Sequence, residues 1–337
     1  MKLLYLSCHS ILEYDELKLF TELGIDWFSL GSYINPKTPH DPKRPGIDAP
    51  VKEHFMEIDI QFSKDNLSPE LVAWADVIMV MHKTEWITQN LAKLEGKKVV
   101  WRTIGQSVAW TERDLEGYRN MLRIVRCSPK EMSIPSYLGA EAFIRFYKDP
   151  EEFRDWNGNN PRLVSFVQSP QQRSVFCRSD ILEGIMSEFP SDLYGTDTEA
   201  VPVIGRGRTS YEDQKKILQD ARVYLYTGTY PASYTLSFIE AMMTGIPIVA
   251  IGSDLANPSD HISHFQNQRT YEIEDIIKNG VNGYISNDIN ELKQYIQALL
   301  ENKELAQKIG EEGRKTAIEL FGKETIKQQW KKFFETI

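Results

Sequence analysis

The chain has 337 residues, 41% of them hydrophobic and 26% charged, and a formal net charge of −9. This composition is that of an ordinary globular protein and excludes a collagen-like, coiled-coil or disordered chain. The longest nearly apolar run, 241–252, is shorter than the roughly 18 residues of a membrane span, and the first residues do not form a signal peptide. Cys8, Cys127 and Cys177 form neither a disulfide framework nor a zinc pattern. We therefore predict a soluble, reduced, cytoplasmic protein, with a peripheral membrane position as the alternative; the acidic balance disfavours nucleic-acid binding.

Short β-rich runs alternate with helical patterns along the whole chain, which predicts parallel sheets covered by helices on both faces. The first series of predicted strands comprises Lys2–Ser7, Asp26–Leu30, Ala75–Met81, Lys98–Thr103, Arg123–Ser128 and Ala142–Tyr147. The second series comprises Arg162–Gln168, Ser191–Tyr194, Val201–Gly205, Val223–Thr227, Ile246–Ile251 and Gly283–Ser286. Between the strands, Ser68 before Pro69 and Ser210 before two acidic residues predict helix starts, because such residues cap and stabilise a first turn.

The two series of strands predict two doubly wound Rossmann-like domains rather than one large sheet. The polar, turn-rich segment 149–161 is the predicted boundary between them. We expect an N-terminal domain over residues 1–155, a C-terminal domain over 156–320 and a final helix over 321–337. In open α/β sheets ligands bind beyond the carboxyl ends of the strands, so functional residues are expected directly after each strand.

The most informative stretch runs from Val223 to Gly252. A strand is followed by a turn and by a helix that starts near Ser233 to Thr235, where small and hydroxyl residues can cap it. The unpaired backbone N–H groups of that start form an anion site suited to a diphosphate. Glu240 lies one to two turns inside the helix. Its carboxylate either accepts hydrogen bonds from a pair of ribose hydroxyls or forms an ion pair on a solvated face.

Three segments in the same order resemble motifs of the retaining glycosyltransferases of family 4. Segment 238–250, FIEAMMTGIPIVA, is similar to that family's LEAMACGTPVVA; segment 277–285 resembles V.DGENGLLV, and segment 290–314 resembles its closing helices. The resemblance covers residues 201–337. It implies the GT-B fold, an α/β architecture of two doubly wound Rossmann-like domains facing across a cleft, with the last helix packing back toward the N-terminal domain.

The resemblance also implies an activity. A hexosyltransferase-like enzyme would move a sugar from a nucleotide-diphosphate-sugar to a hydroxyl acceptor with retention at the anomeric carbon. The acceptor is a glycan, a lipid-linked molecule or a small molecule. Neither a metal nor a cofactor is expected, and the oligomeric state is left open.

The donor site implied by the resemblance lies in the C-terminal domain. It assigns Glu240 to the ribose and the backbone amides near Tyr234 and Thr235 to the diphosphate. The donor-binding residues implied are Arg173, Arg178, Ile204, Gly205, Arg206, Ser233, Tyr234, Thr235, Leu236 and Glu240. Surface arginines and a glycine-permitted strand exit are the alternatives for the first five. The family's first glutamate position holds Ala232, which leaves the donor sugar open.

The amino-terminal half resembles the family only weakly. Segment 74–82 is similar to ADVIHVH and ends at His82, a predicted catalytic residue for which a satisfied core histidine is the alternative. The family's cleft histidine after the strand 98–103 is missing, so Arg102 and Gln106 are the other catalytic candidates. A glycine-rich turn after the first strand is also missing. The acceptor-side candidates in its place are His9, Ser10 and Tyr14.

Two other functions stay open from the sequence, besides a sugar-nucleotide epimerase of the same fold, of which no motif is visible. The acceptor could be a modified base in DNA, as for phage glucosyltransferases, with the proline-rich loop 31–50 facing the nucleic acid. The basic residues of that loop are Lys37, Lys43 and Arg44. Alternatively, because Ala232 replaces a glutamate, the chain is a nucleotide-binding, non-catalytic partner subunit. His261 and His264 lack carboxylates at ligand spacing, so no metal site is predicted.

Overall fold

A computed structural model of the chain describes residues 1–31, 47, 66–258 and 268–337. The chain divides into two compact units: unit 1 is Met1–Phe146 together with Lys327–Ile337, and unit 2 is Tyr147–Ile326. Each unit contains one sheet of six strands among the described residues, and all strand pairs are parallel. The sequence places residues 147–155 in the N-terminal domain, whereas the structure groups them with unit 2.

The sheet of unit 1 has the strand order β2-β1-β3-β4-β5-β6. Its strands are β1 (Lys2–Leu6), β2 (Asp26–Ser29), β3 (Val77–Met81), β4 (Lys98–Arg102), β5 (Leu122–Arg126) and β6 (Ala142–Phe143). Its described helices before unit 2 are α1 (Ser10–Glu22), α2 (Pro69–Trp74), α3 (Glu85–Thr88), α4 (Leu91–Leu94) and α5 (Ala109–Glu116). Leu4, Ile78 and Trp101 are fully buried members of one apolar core around this sheet. The order reverses between β1 and β3, which is where doubly wound sheets open a crevice for ligands.

The sheet of unit 2 has the order β12-β11-β10-β7-β8-β9, with its reversal between β7 and β10. Its strands are β7 (Asn160–Phe166), β8 (Ser191–Tyr194), β9 (Gly205–Gly207), β10 (Ala221–Tyr226), β11 (Ile248–Ile251) and β12 (Tyr284–Ser286). Its described helices are α6 (Ser174–Cys177), α7 (Ser179–Met186), α8 (Tyr211–Asp220), α9 (Leu236–Thr244), α10 (Ser253–Ala256), α11 (Ile273–Ile276), α12 (Ile289–Glu301) and α13 (Lys303–Phe321). Leu163, Val223 and Val249 are fully buried in its core.

Two helix starts predicted from local sequence are confirmed. Ser68 Oγ accepts a hydrogen bond from the Glu70 N–H at 3.2 Å at the start of α2, where Pro69 is the first helical residue. Ser210 Oγ accepts from the Asp213 N–H at 3.1 Å at the start of α8. Each hydroxyl satisfies a donor that has no intrahelical acceptor, which is why these residues begin helices.

One predicted strand is displaced. The sequence predicts a strand over Val201–Gly205, whereas β9 runs over Gly205–Gly207. Val203 has a φ of 71° and is 87% exposed, so the chain turns there in a conformation that β-branched residues rarely adopt. A Cβ added at Gly205 would lie 1.8 Å from the Thr198 carbonyl oxygen, so this close approach requires glycine.

The last helix, α14 (Lys323–Phe334), begins in unit 2 and continues into unit 1. In unit 1, Trp330 is fully buried and its ring packs edge-on against Phe20 with centroids 5.3 Å apart. Lys327 Nζ lies 2.8 Å from a carboxylate oxygen of Glu22 on α1. Residues from the end of the chain therefore complete the core of the first unit. In the described part of the chain, none of the helices has the length and apolar character needed to cross a membrane.

Candidate functional site

The reversal point of unit 2 is followed by a helix start whose first backbone N–H groups have no acceptor among the described residues. At the start of α9, Thr235 Oγ1 accepts from the Phe238 N–H at 3.4 Å and lies 3.0 Å from Ser237 Oγ. The N–H groups of Leu236 and Ser237 belong to the first turn, where no helical carbonyl precedes them. Both residues are half-buried. This start therefore presents backbone donors and the positive end of the helix dipole to an anion.

Neutral aromatic side chains lie below this helix start. The Tyr226 ring lies 4.9 Å from the Phe238 ring and stacks with Tyr271 at 6.4 Å between centroids. Burial raises the pKa of Tyr224 to about 12 and also raises the pKa of Tyr226 well above the ordinary value. These phenols are therefore uncharged near neutral pH, and they add no negative charge that would oppose an anionic ligand.

The segment after β7 lies against the turn after β10. Thr227 Oγ1 donates to the Cys177 carbonyl at 2.8 Å, and the Tyr230 N–H donates to the Phe176 carbonyl at 2.8 Å. The segment that carries both predicted phosphate-binding arginines is therefore brought to the same edge of the sheet as the start of α9.

These two arginines differ in whether their guanidinium groups already have acidic partners. Arg178 reaches both carboxylate oxygens of Asp180, at 3.2 and 3.0 Å, and also donates to the Leu255 carbonyl. Arg173 has no acidic partner within the described ranges of the chain. Burial raises the pKa of the Cys177 thiol, and the charge of Arg173 opposes that rise. Arg173 is therefore the better placed of the two to pair with a phosphate oxygen.

Glu240 is 3% exposed, so it does not lie on a solvated helix face. Lys148 Nζ lies 2.7 Å from its Oε1, and Gln214 Nε2 donates to its Oε2 at 2.5 Å. Both partners come from outside α9: Lys148 lies close to the boundary between the units, and Gln214 lies on α8. The carboxylate is thus a held, buried hydrogen-bond acceptor.

The predicted base-edge residues lie at the other side of the sheet, on and beside the edge strand β9. The Ile204 carbonyl accepts from the Leu193 N–H at 2.8 Å, so it is used by the sheet. Arg206 Nε lies 2.6 Å from Asp192 Oδ1. In the sheet order, β7 and β8 separate this edge from β10. The structure therefore does not bring Gly205 and Arg206 into contact with the start of α9 through any described bond.

A segment that sequence reasoning missed runs beside the turn before α9. The Glu272 N–H donates to the Ser233 carbonyl at 3.0 Å, Tyr230 Oη donates to the Gln268 carbonyl at 3.1 Å, and Thr270 Oγ1 donates to the Pro231 carbonyl. Three polar residues that alternate along this segment are each 1% exposed: Gln268, Thr270 and Glu272. Their alternation along the chain was the available signal, since a period of two indicates one face of an extended segment.

Ala232 is 7% exposed and its N–H donates to the Thr229 carbonyl at 2.8 Å. Next to it, Ser233 Oγ is buried without a hydrogen-bond partner among the described residues. The position at which the resembled family 4 has a glutamate is thus a closed turn with a small side chain. No residue of the turn 228–235 carries a carboxylate that could take its place.

In unit 1, His82 directly follows β3 with a φ of 63°. Its N–H donates to the Arg102 carbonyl at 2.9 Å, and its carbonyl accepts from Trp101 Nε1 at 3.1 Å. Burial and the nearby Lys83 lower its pKa from 6.5 to about 4, so the ring is neutral at pH 7. Its Nδ1 has no hydrogen-bond partner in the portion that the structure describes.

The other predicted catalytic residues lie in contrasting positions. Arg102 is fully buried; its Nε lies 2.9 Å from Glu16 Oε1, and its Nη1 donates to the Ile144 carbonyl at 2.6 Å. Gln106 is exposed and follows Gly105, which has a φ of 74°. Arg102 is therefore engaged in the core of unit 1, whereas Gln106 is open to solvent.

The acceptor-side candidates lie at the start of α1. His9 is its N-cap, and its Nδ1 accepts from the Leu12 N–H at 3.3 Å. Ser10 is the first helical residue, while Tyr14 is 4% exposed and faces the core. These residues share one helix end, and their acceptor role remains a prediction.

Several other predictions fall outside the described residues: the basic loop residues Lys37, Lys43 and Arg44, and the histidines His261 and His264. Over the ranges that the structure describes, no three His, Cys, Asp or Glu side chains are grouped so as to hold a metal ion. Independence of a metal remains a prediction.

Comparison with known proteins gives matches to part of the sequence and to the fold. Residues 201–316, which include α9 and Glu240, match the family model of glycosyl transferases group 1. A poly(ribitol-phosphate) α-N-acetylglucosaminyltransferase of Staphylococcus aureus is 29% identical over 124 residues. That match covers 36% of this chain and only 22% of the length of that protein.

Solved structures match the whole chain. Sucrose-phosphate synthase from Thermosynechococcus elongatus has a TM-score of 0.69 at 14% identity, over 100% of this chain and 98% of that one. HepE from Anabaena, in complex with UDP and glucose, has a TM-score of 0.68 at 14% identity, over 100% of both chains. A glycosyltransferase from Rickettsia africae has a TM-score of 0.66 at 12% identity, over 99% of this chain and 98% of that one. These likenesses confirm the predicted GT-B fold.

Proposed function

We propose that this protein is a retaining glycosyltransferase that moves a sugar from a nucleotide-diphosphate donor to a hydroxyl acceptor. The observation that carries the proposal is the start of α9. It presents open backbone donors, Arg173 lies in the segment beside it, and Glu240 lies one turn further inside the helix. The start of α9 and Glu240 fall within the match to glycosyl transferases group 1.

In this proposal the N–H groups of Leu236 and Ser237 and the guanidinium of Arg173 stabilise the charge that develops on the departing diphosphate. Fixed donors of this kind stabilise a transition state because they need no reorganisation during the reaction. The bond between the anomeric carbon and the diphosphate oxygen breaks, and a bond to the acceptor oxygen forms on the same face. The acceptor proton passes to the leaving phosphate. Retention rests on the resemblance to family 4.

The donor base and sugar are proposed by analogy. HepE was solved in complex with UDP and glucose, and the S. aureus relative is an α-N-acetylglucosaminyltransferase. UDP-glucose and UDP-N-acetylglucosamine are therefore the first donors to test. A glycan, a lipid-linked molecule and a small molecule remain the acceptor classes. His9 and Ser10 are the residues proposed to face them, whereas the predicted Tyr14 is buried in the core of unit 1.

The test is a thermal-shift panel with UDP, GDP, ADP, CMP and dTDP. A ligand at about 100 times its dissociation constant adds about 2.7 kcal/mol of stability, which corresponds to a shift of roughly 4 °C for a chain of this length. We expect one nucleotide to give such a shift in the wild type and a reduced shift in Glu240→Gln, which keeps the size of the buried side chain. Glu212→Gln, an exposed glutamate at the start of α8, is the matched control. No shift with any of the five nucleotides would overturn the proposal.

A second candidate function is favoured by Ala232. A nucleotide-binding, non-catalytic partner subunit would give the thermal shift but would release no free UDP from either UDP-sugar, with or without acceptors. Release of UDP that rises with an added hydroxyl acceptor would exclude it.

A further inference from the structure

The predicted ribose ligand, Glu240, is held by side chains that no motif indicated. Its two carboxylate oxygens have different partners, Lys148 at 2.7 Å and Gln214 at 2.5 Å. The side chains of the ion pair are only 2% and 4% exposed. A buried carboxylate is strongly unfavourable without a cation or several donors beside it, so the position of Lys148 decides where this carboxylate lies.

Lys148 is itself fixed by its backbone. Its N–H donates to the Phe321 carbonyl at 3.0 Å, and the residue forms a parallel bridge with Gly322 at the end of α13. Its Nζ lies 5.7 Å from the centre of the Phe153 ring. The ammonium group is therefore presented to Glu240 from a rigid segment rather than from a flexible surface side chain.

We propose that Lys148, with Gln214, positions the Glu240 carboxylate to receive the ribose hydroxyls of the bound nucleotide, and that this makes the site selective for ribonucleotides. The inference rests on the proposed function. A carboxylate has about four lone-pair directions. Lys148 pairs with one oxygen and Gln214 donates to the other, which fixes the orientation of both oxygens, and a carboxylate held in this way suits the adjacent 2′- and 3′-hydroxyl groups of a ribose. Lys148 touches no substrate in this account and acts only through Glu240.

The test compares UDP with 2′,3′-dideoxy-UDP by calorimetric titration; GDP and its dideoxy analogue replace them if the nucleotide panel selects guanine. Hydroxyl bonds to a charged acceptor should make the wild type bind UDP about 10- to 100-fold more tightly than the dideoxy compound. Lys148→Met should bring this ratio close to one, because the carboxylate loses its fixed position. Lys148→Arg should restore most of it, since the charge returns.

Lys323→Met is the matched control. Lys323 pairs with Asp149, the neighbour of Lys148, at 2.8 Å, so its loss disturbs the same segment without removing a Glu240 partner. We expect it to keep the wild-type ratio. The double variant Lys148→Met with Glu240→Gln should show the same affinity ratio as Glu240→Gln alone, because both substitutions remove the same contact between the carboxylate and the ribose.

If Lys148→Met does not fold, Gln214→Leu is the second variant, and it should lower the ratio in the same direction. An unchanged ratio in folded Lys148→Met, or in Gln214→Leu if only that variant folds, would overturn the inference while leaving nucleotide binding intact. Failure of the wild type to bind any nucleoside diphosphate would instead overturn the proposed function. The two failures are therefore distinguishable.

Discussion

Strands of the two Rossmann-like units end in different kinds of residue. In unit 1, β4 and β5 end in Arg102 and Arg126, both fully buried and paired with glutamates. In unit 2, the strands at the reversal point end in aromatic residues, and backbone donors follow them. Charges that are already paired in a core stabilise the unit, whereas open donors beside neutral rings leave room for the charge of a ligand. Charged residues after a strand are thus not by themselves evidence of a site.

The largest expected effect comes from removing a buried charge in unit 1, which tests whether these charges stabilise the fold. Arg126→Met should cost about 3–5 kcal/mol, because it removes the cation that reaches Glu112 at 2.7 Å and Glu131 at 3.7 Å. Urea unfolding followed by circular dichroism measures the change. Arg154→Met is the control: its guanidinium group is about half exposed and pairs with Glu151 on the surface, so it should cost less than about 1 kcal/mol. Equal costs would show that the charges of unit 1 are not structural.

A second prediction concerns the C-terminal end of α9. Gly245 ends this helix with a φ of 95°, and a Cβ added at Gly310 on α13 would lie 2.0 Å from its carbonyl oxygen. Gly310→Ala should therefore destabilise the protein by about 1–3 kcal/mol, although alanine favours helices. Gly184→Ala, at an open position of α7 with nothing within 4 Å, should stabilise by up to about 1 kcal/mol. Thermal unfolding of both variants measures the two changes in stability. A change of the same sign in both variants would contradict the packing argument.

The smallest predicted effect is a pH dependence in unit 1. The pKa of His82 falls from 6.5 to about 4 on folding, so the unfolded chain binds its proton more readily. The resulting stability is fully present above pH 6.5 and is lost as the pH falls toward about 4, with an upper limit of about 3 kcal/mol. Partial exposure of the ring makes the effect smaller.

His82→Asn keeps a residue that tolerates the positive φ and removes the titrating ring. The free energy of unfolding, measured at about pH 7 and about pH 4.5, should fall less in this variant than in the wild type. A fall of the same size would show that His82 is not the group that loses stability in acid, and that its ring is as solvated as that of a surface histidine.

Much of the fold and part of the site follow from local sequence. Alternating strand and helix patterns predict both sheets, and the hydroxyl residues before Leu236 predict the start of α9. The strand near Val203 was misplaced because a left-handed valine is not expected from its type. The Lys148 partner of Glu240 was missed for another reason: it lies between β6 and β7, and no local period joins two segments that only tertiary packing brings together. The same holds for Glu16 beside Arg102.

The return of the chain into unit 1 also sets an order of assembly. During synthesis the residues of unit 2 leave the ribosome before Trp330 and its neighbours, which fill the space against Phe20. The second half of the protein can thus close its core while the first half still lacks its final element. Any truncation that removes residues 327–337 would deprive Phe20 of the rings of Trp330 and Phe334, and the damage would appear at the opposite end of the sequence from the cut.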